Sequence, residues 1–261
     1  MEKLEDIKKK ADPFKETNSA ILYKYFNSVY KIIKRNTWFY DEMIQNIINN
    51  YVLHHTVNPH IILPTELVMD KQKAIRGYRC DYVPGSNLEK FASELSAEEK
   101  ISMLNELLDL LKEINNYLIV GDINLANCMY DKNGNAYMID FDLSIPFSEK
   151  PSKRALYSFS QKKTNKAIDS SLSTDKLKMA IVCASVLYET NFESSFISTI
   201  PYNKWHKFYQ FTNNNYFKDY FKQAFKQLNH QQEITDYLYL PETTNFAKLI
   251  EEDKKRVREM Y

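Results

Sequence analysis

Apolar positions recur at helical spacing in two long stretches. Met103, Leu104, Leu107, Leu108, Leu111 and Ile114 form one stripe, at i, i+3 and i+4 intervals. Ser96 and Glu99 precede it at the spacing of a capping box, in which each end supplies the other's missing hydrogen bond. Met43, Ile44, Ile47, Ile48, Tyr51 and Val52 make a second stripe and predict a helix over 38–53. A third apolar run, Leu177–Tyr188, follows Asp175. Elsewhere the pattern is strand-like. Ala20–Phe26 and Ser28–Lys34 are rich in β-branched and aromatic residues and are parted by Asn27. Ile61–Val68 and Lys73–Val83 predict two further strands, with Asp70-Lys71-Gln72 at the turn. Residues 1–12 read as a short charged helix or a frayed terminus. Beyond 190 the chain reads as helices broken near Pro201 and Pro241, with Trp205, Phe208, Phe217 and Phe221 as a small aromatic core.

Composition narrows the picture. The chain has 261 residues, enough for two small lobes, and 44% are apolar. A formal charge of +1 argues against a nucleic-acid binder driven by net charge. Cys80, Cys128 and Cys183 are far apart and odd in number, which suits a reducing cytoplasm better than a disulfide framework or a metal site. No apolar run approaches a membrane span, and the charged start MEKLEDIKKK is not a signal peptide. The expectation is a cytoplasmic protein with no membrane or nucleic-acid partner. The four glycines, Gly77, Gly85, Gly121 and Gly134, are few enough that each marks a backbone requirement.

The candidate chemistry lies in Tyr117–Asp142, YLIVGDINLANCMYDKNGNAYMIDFD. Asn133-Gly134 signals a hairpin with a tight primed turn, between Asn127–Tyr130 and Ala136–Ile139. Such a hairpin draws Asp122 and Asn127, ahead of one strand, toward Asp140, just past its partner. Two carboxylates and an amide oxygen in a small space call for a cation. Hard cations such as Mg²⁺ take oxygen ligands and usually share them with phosphate. Taken singly, each Asp has a plainer reading as a turn residue.

Asp122-Ile-Asn-Leu-Ala-Asn127 has the spacing of the protein-kinase catalytic loop, and Asp140-Phe141-Asp142 falls where that family carries Asp-Phe-Gly. The stretch resembles the protein-kinase-like superfamily, in its bacterial-type, divergent Ser/Thr form, with the aminoglycoside and choline kinases as relatives. The resemblance implies an α+β, bilobal protein-kinase-like fold. Residues 1–83 would form a small antiparallel sheet lobe with one helix, and 84–261 a mainly helical lobe. It implies ATP and Mg²⁺ as cofactors, with Asn127 and Asp140 as metal ligands and Asp122 as the catalytic acceptor of the hydroxyl proton. Val29-Tyr30-Lys31-Ile32-Ile33 resembles the strand whose lysine contacts the α- and β-phosphates, which assigns that role to Lys31. Lys34, three residues on, points to the other sheet face. Glu42, in the helix over 38–53, would hold Lys31, with Asp41 as the fallback. Cys80–Leu88 resembles the interlobe hinge, which would bring Asp81 and Val83 to the adenine and Cys80 to the wall behind it. Asp175 resembles the aspartate that ties the catalytic loop from below; alternatively it belongs to a helix N-cap region.

The chain departs from the family in four ways. Lys15–Ser19 replaces the glycine-rich phosphate loop. Val120-Gly121 replaces His-Arg. Asn124 stands where Ser/Thr kinases carry lysine. Asp142 replaces the final glycine of Asp-Phe-Gly, where it could strengthen metal binding or face solvent. The basic stretch within 143–174 takes the place of the activation segment, as a docking site for an acidic partner or a solvated loop. Three readings follow: a protein Ser/Thr kinase acting on a protein substrate, a small-molecule kinase, and a pseudokinase that binds and regulates.

Overall fold

The computed structural model describes residues 2–17, 20–34, 44, 48, 58–146, 159–160, 167–168, 171–193, 210–230 and 232–260. The first lobe is built on a six-stranded sheet. Its strands are β1 (Glu2–Lys3), β2 (Asp12–Glu16), β3 (Ala20–Tyr25), β4 (Ser28–Ile33), β5 (Glu66–Met69) and β6 (Ile75–Asp81), in the order β1-β5-β6-β4-β3-β2. All neighbours run antiparallel except β1, which joins the β5 edge in parallel. Residues 1–12 thus resolve into an edge strand and a seven-residue helix, α1 (Leu4–Lys10). Ile7 on α1 is fully buried against Tyr23, Tyr30, Ile32 and Val68 on one sheet face. Ile44 and Ile48 cover the other face, against Leu67 and Tyr78.

The strand expected over Ile61–Val68 starts only at Glu66. Pro64 has no N–H for a ladder, and the segment before it serves another purpose. The Ile62 N–H donates to Met138 O (2.9 Å) and the Met138 N–H to His60 O (3.0 Å), so residues 60–62 dock on the second lobe. His60 Nδ1 lies 3.0 Å from Glu106 Oε1, which fastens the same link.

Gly77 allows β4 and β6 to close. Its φ is +158°, and a Cβ there would stand 1.9 Å from the Lys31 carbonyl oxygen. Only a residue without Cβ fits against the strand that carries Lys31.

After Asp81 the chain passes Val83 and Pro84 and at once forms β7 (Gly85–Asn87), which skips the short β8 (Leu118–Ile119) and pairs with β9 (Cys128–Asp131). The strand expected to run to Val83 ends at Asp81, three residues short of Pro84, and Gly85 begins the second sheet. The helix Ala97–Ile114 opens with both hydrogen bonds of the Ser96–Glu99 capping box. Its stripe is buried with the helix Leu172–Tyr188 and with Phe217 and Phe221 of the helix Asn215–Asn229 in one large core. Trp205 and Phe208 lie outside the described residues. No helix among the described residues is long and apolar enough to cross a membrane.

Candidate active site

Strand β9 pairs antiparallel with β10 (Ala136–Met138), as the hairpin reading requires. The turn differs from expectation. Gly134 has φ +83°, but Asn133 stays out of the left-handed region. The Gly134 N–H donates to Asp131 O (3.0 Å), and Asp131 Oδ1 accepts from the N–H groups of Asn133 and Asn135. This is a three-residue loop with glycine at its left-handed position. The Asp131 carboxylate supplies the closure that a primed turn would obtain from two positive φ angles.

The hairpin brings the site together. The Ile139 N–H donates to Asn127 O (3.0 Å), which sets Asp140 beside Asn127. Asn127 Nδ2 donates to Asp122 Oδ2 (3.1 Å) and to Asp122 O (2.9 Å). Its amide nitrogen is thus committed to Asp122. Asn124 holds Asp122 from the other side, donating to Oδ1 at 3.1 Å. Its own side-chain oxygen accepts the N–H groups of Ala126 and Asn127. The residue in the family's lysine position here shapes the loop.

Asp140 adopts φ +66°, a conformation that costs free energy in any residue with a Cβ and that aspartate tolerates better than most. Its Oδ1 accepts from Lys31 Nζ (2.5 Å) and from the Tyr78 hydroxyl (3.0 Å). Lys31 also reaches Asp142 Oδ2 at 2.9 Å. Burial alone would lower the Lys31 ammonium's pKa, but Asp140 and Asp142 reverse that and raise it above the usual lysine range. Burial, with the same two carboxylates, pushes the Tyr78 phenol up, so it stays a donor. Asp142 is only 4% exposed, so the solvent-facing alternative falls. Burial first and the Asp140 charge second raise its pKa, against the pull of Lys31. Lys34 stands just past the end of β4, bound to Glu16 (2.7 Å) and to Thr17 O (2.5 Å).

Asp175 sits beneath. Its carboxylate accepts from the N–H groups of Val120 (2.7 Å) and Gly121 (2.9 Å) and from Asn115 Nδ2 (3.1 Å). It ties the loop that carries Asp122 to the core, as the resemblance implied. Two neighbours were not legible in the sequence. Lys178 Nζ donates to Gly121 O (2.5 Å), and Glu193 accepts the Leu125 N–H (3.0 Å). Both lie far along the chain from the loop they hold.

A cleft of about 470 Å³ opens between the lobes, lined by Lys31, Cys80, Asp81, Val83, Asn127 and Asp140, among others. Lys15 reaches it from β2 and Thr17 from the β2–β3 turn, where Ala20 N–H donates to the Thr17 hydroxyl (3.0 Å). Thus Lys31, Asp81, Val83, Asn127 and Asp140 share one cavity, with Asp122 bound to Asn127 at its edge. Glu42, its fallback Asp41 and the lysines of 150–166 lie outside the described residues.

No protein-family model matches the sequence, and no curated protein does. Among solved structures, the kinase PK-1 of Cydia pomonella granulovirus aligns over 88% of this chain and 92% of its own, with a TM-score of 0.57 and 17% identity. The fold is that of the protein kinases. At that identity the likeness carries architecture alone, and the chemistry has to be argued from the residues of the cleft.

An Mg²⁺ ion fits those residues. Asn127 and Asp140 both line the cleft and both carry hard oxygen donors. Hard cations of this kind take the rest of their ligands from water and phosphate. Among the described residues no group of three or more His, Cys, Asp or Glu side chains could hold a metal ion by itself.

Proposed function

We propose that the chain is an ATP-dependent phosphotransferase whose acceptor is a hydroxyl group, with Ser or Thr of a protein as the favoured substrate. The observation that carries the reading is Asp140. It is held in a left-handed conformation, and it meets Lys31 from the first lobe and lies beside Asn127 from the second, at the mouth of one interlobe cleft. Backbone strain at a residue that joins two lobes over a cavity is characteristic of a functional position.

In this reading the adenine lies along Asp81 and Val83. Lys31 contacts the α- and β-phosphates. Asn127 and Asp140 would hold Mg²⁺, which neutralises charge on the phosphates. Asp122, oriented by Asn124 and Asn127, faces the acceptor hydroxyl and takes its proton. The hydroxyl oxygen bonds to the γ-phosphorus as the bond to the bridging oxygen breaks, and ADP leaves. Positioning and charge do most of the work in this chemistry. The two lobes of this single domain correspond to 1–83 and 84–261, and the favoured location is the cytoplasm.

The test is transfer of label from γ-labelled ATP to casein, beside Asp122→Ala. Label on casein or on the chain itself, reduced about 10²-fold or more in the variant, supports the reading. Label on choline or an aminoglycoside instead would make the chain a small-molecule kinase. Equal transfer by the variant would remove Asp122 from its role. No transfer to any acceptor would favour a binding module.

A further inference from the structure

We propose that Asp142 is the carboxylate that seats Lys31 for nucleotide binding, the task that the family resemblance gives to Glu42. The proposal rests on the reading of the cleft as a nucleotide site.

Three observations carry it. Lys31 Nζ lies between two carboxylates, 2.5 Å from Asp140 Oδ1 and 2.9 Å from Asp142 Oδ2. Asp142 is the more buried of the two, with its side chain 6% exposed against 29% for Asp140. Phe141 between them is fully buried in the core of the second lobe, so the backbone that presents Asp142 is anchored there.

The two carboxylates have different futures once a nucleotide arrives. Asp140 faces the cleft, and in the proposed reaction it turns to the cation. Lys31 must then release Asp140 to meet the phosphates. A buried lysine that loses its carboxylate is costly, so a second partner is needed while the first is engaged. Asp142 meets that need from behind, because it does not line the cleft. Asp142 is thus a positioning residue that acts through Lys31, and the carboxylate at the family's glycine position gains a purpose.

Reactivity of Lys31 in the nucleotide-free chain tests this without relying on activity. At fixed pH, an amine-acylating reagent is applied to the full-length protein, and Lys31 modification is followed by peptide mass spectrometry. Lys71, exposed on the β5–β6 turn, is the internal reference. The variants are Asp142→Asn, Asp142→Glu and Glu42→Gln, with Asp142→Ser as a second neutral variant should the amide fail to fold. The expected result is Lys31 acylation about 10-fold faster in Asp142→Asn, with Asp142→Glu returning toward wild type. In parallel, affinity for Mg²⁺ with a non-hydrolysable ATP analogue should weaken about 10-fold in Asp142→Asn and recover in Asp142→Glu. Unchanged Lys31 acylation in Asp142→Asn would overturn the proposal. So would a rise confined to Glu42→Gln, which would return the role to that residue. A wild-type chain that binds no nucleotide would defeat the nucleotide reading, while the acylation rates would still decide the pairing.

Discussion

Glu193 and Lys178 prop the loop that carries Asp122, and burial moves both away from their ordinary titration. Burial pushes the Glu193 carboxyl up to about 7, although the Leu125 N–H and Lys178 favour its charged form. Burial likewise pulls Lys178 down, while Asp122 and Asp175 oppose the change. For Glu193 the folded pKa lies above the unfolded one. Between about 4.5 and 7 the folded chain therefore retains a proton that the unfolded chain has lost, and stability falls as pH rises through that window. Glu193→Gln removes the cost of burying the charge. Its melting temperature should exceed wild type's by several degrees at pH 8 and by little at pH 5, as thermal denaturation at both would show. An excess at pH 5 as large as at pH 8 would contradict the assignment. At this scale the sequence was readable wherever local geometry decides. The Asp–Asn–Asp spacing named three residues that do converge. Tyr78, Lys178 and Glu193 were hidden because only the tertiary fold places them at the site. The Lys31–Asp142 pair was hidden for the same reason, its members standing 111 positions apart.

Among elements, strand β4 carries Lys31 and the loop at 120–127 carries Asp122 and Asn127, and each rests on a support of its own. Gly77 lets β6 lie against the Lys31 backbone. Gly77→Ala would place a methyl group inside the contact distance of the Lys31 carbonyl, and β4 or β6 would have to shift. A loss of about 2 kcal/mol or more in denaturant unfolding is expected, together with weaker nucleotide binding. Asp175 supports the loop. In Asp175→Asn one of its two oxygens becomes a donor facing the Val120 or Gly121 N–H. That arrangement should cost about 1–3 kcal/mol and lower turnover more than it changes nucleotide affinity, which steady-state kinetics would separate. Helices and strands with a clear period were legible, down to the capping box at Ser96. The turn at 131–135 was misread because the Asp131 side chain stands in for a second left-handed residue. The strand before Glu66 was overextended because an apolar run before a proline can serve as docking surface as well as ladder.

Over the whole molecule, the described residues join the two lobes at a hinge, at the contacts of Lys31 and Tyr78 with Asp140 and Asp142, and at residues 60–62. The first lobe is a sheet covered on both faces, by α1 on one and by Ile44 and Ile48 on the other. The second is a helical core that fixes Phe141 and Asp175 from below. Residues 60–62 fasten the first lobe to Met138 and Glu106, beside the β10 end that leads to Asp140. The bilobal arrangement was legible only through the family resemblance that the catalytic stretch carries. The parallel β1 edge was not, since a two-residue strand carries no periodicity. The central claim is that this cleft binds a nucleotide through a cation held at Asn127 and Asp140. Isothermal titration with a non-hydrolysable ATP analogue, with Mg²⁺ and with EDTA, tests it most directly when run beside Asp140→Asn. The account predicts saturable binding in Mg²⁺ that weakens about 10-fold or more in EDTA and in the variant. Absence of binding, or equal binding under all three conditions, would contradict it.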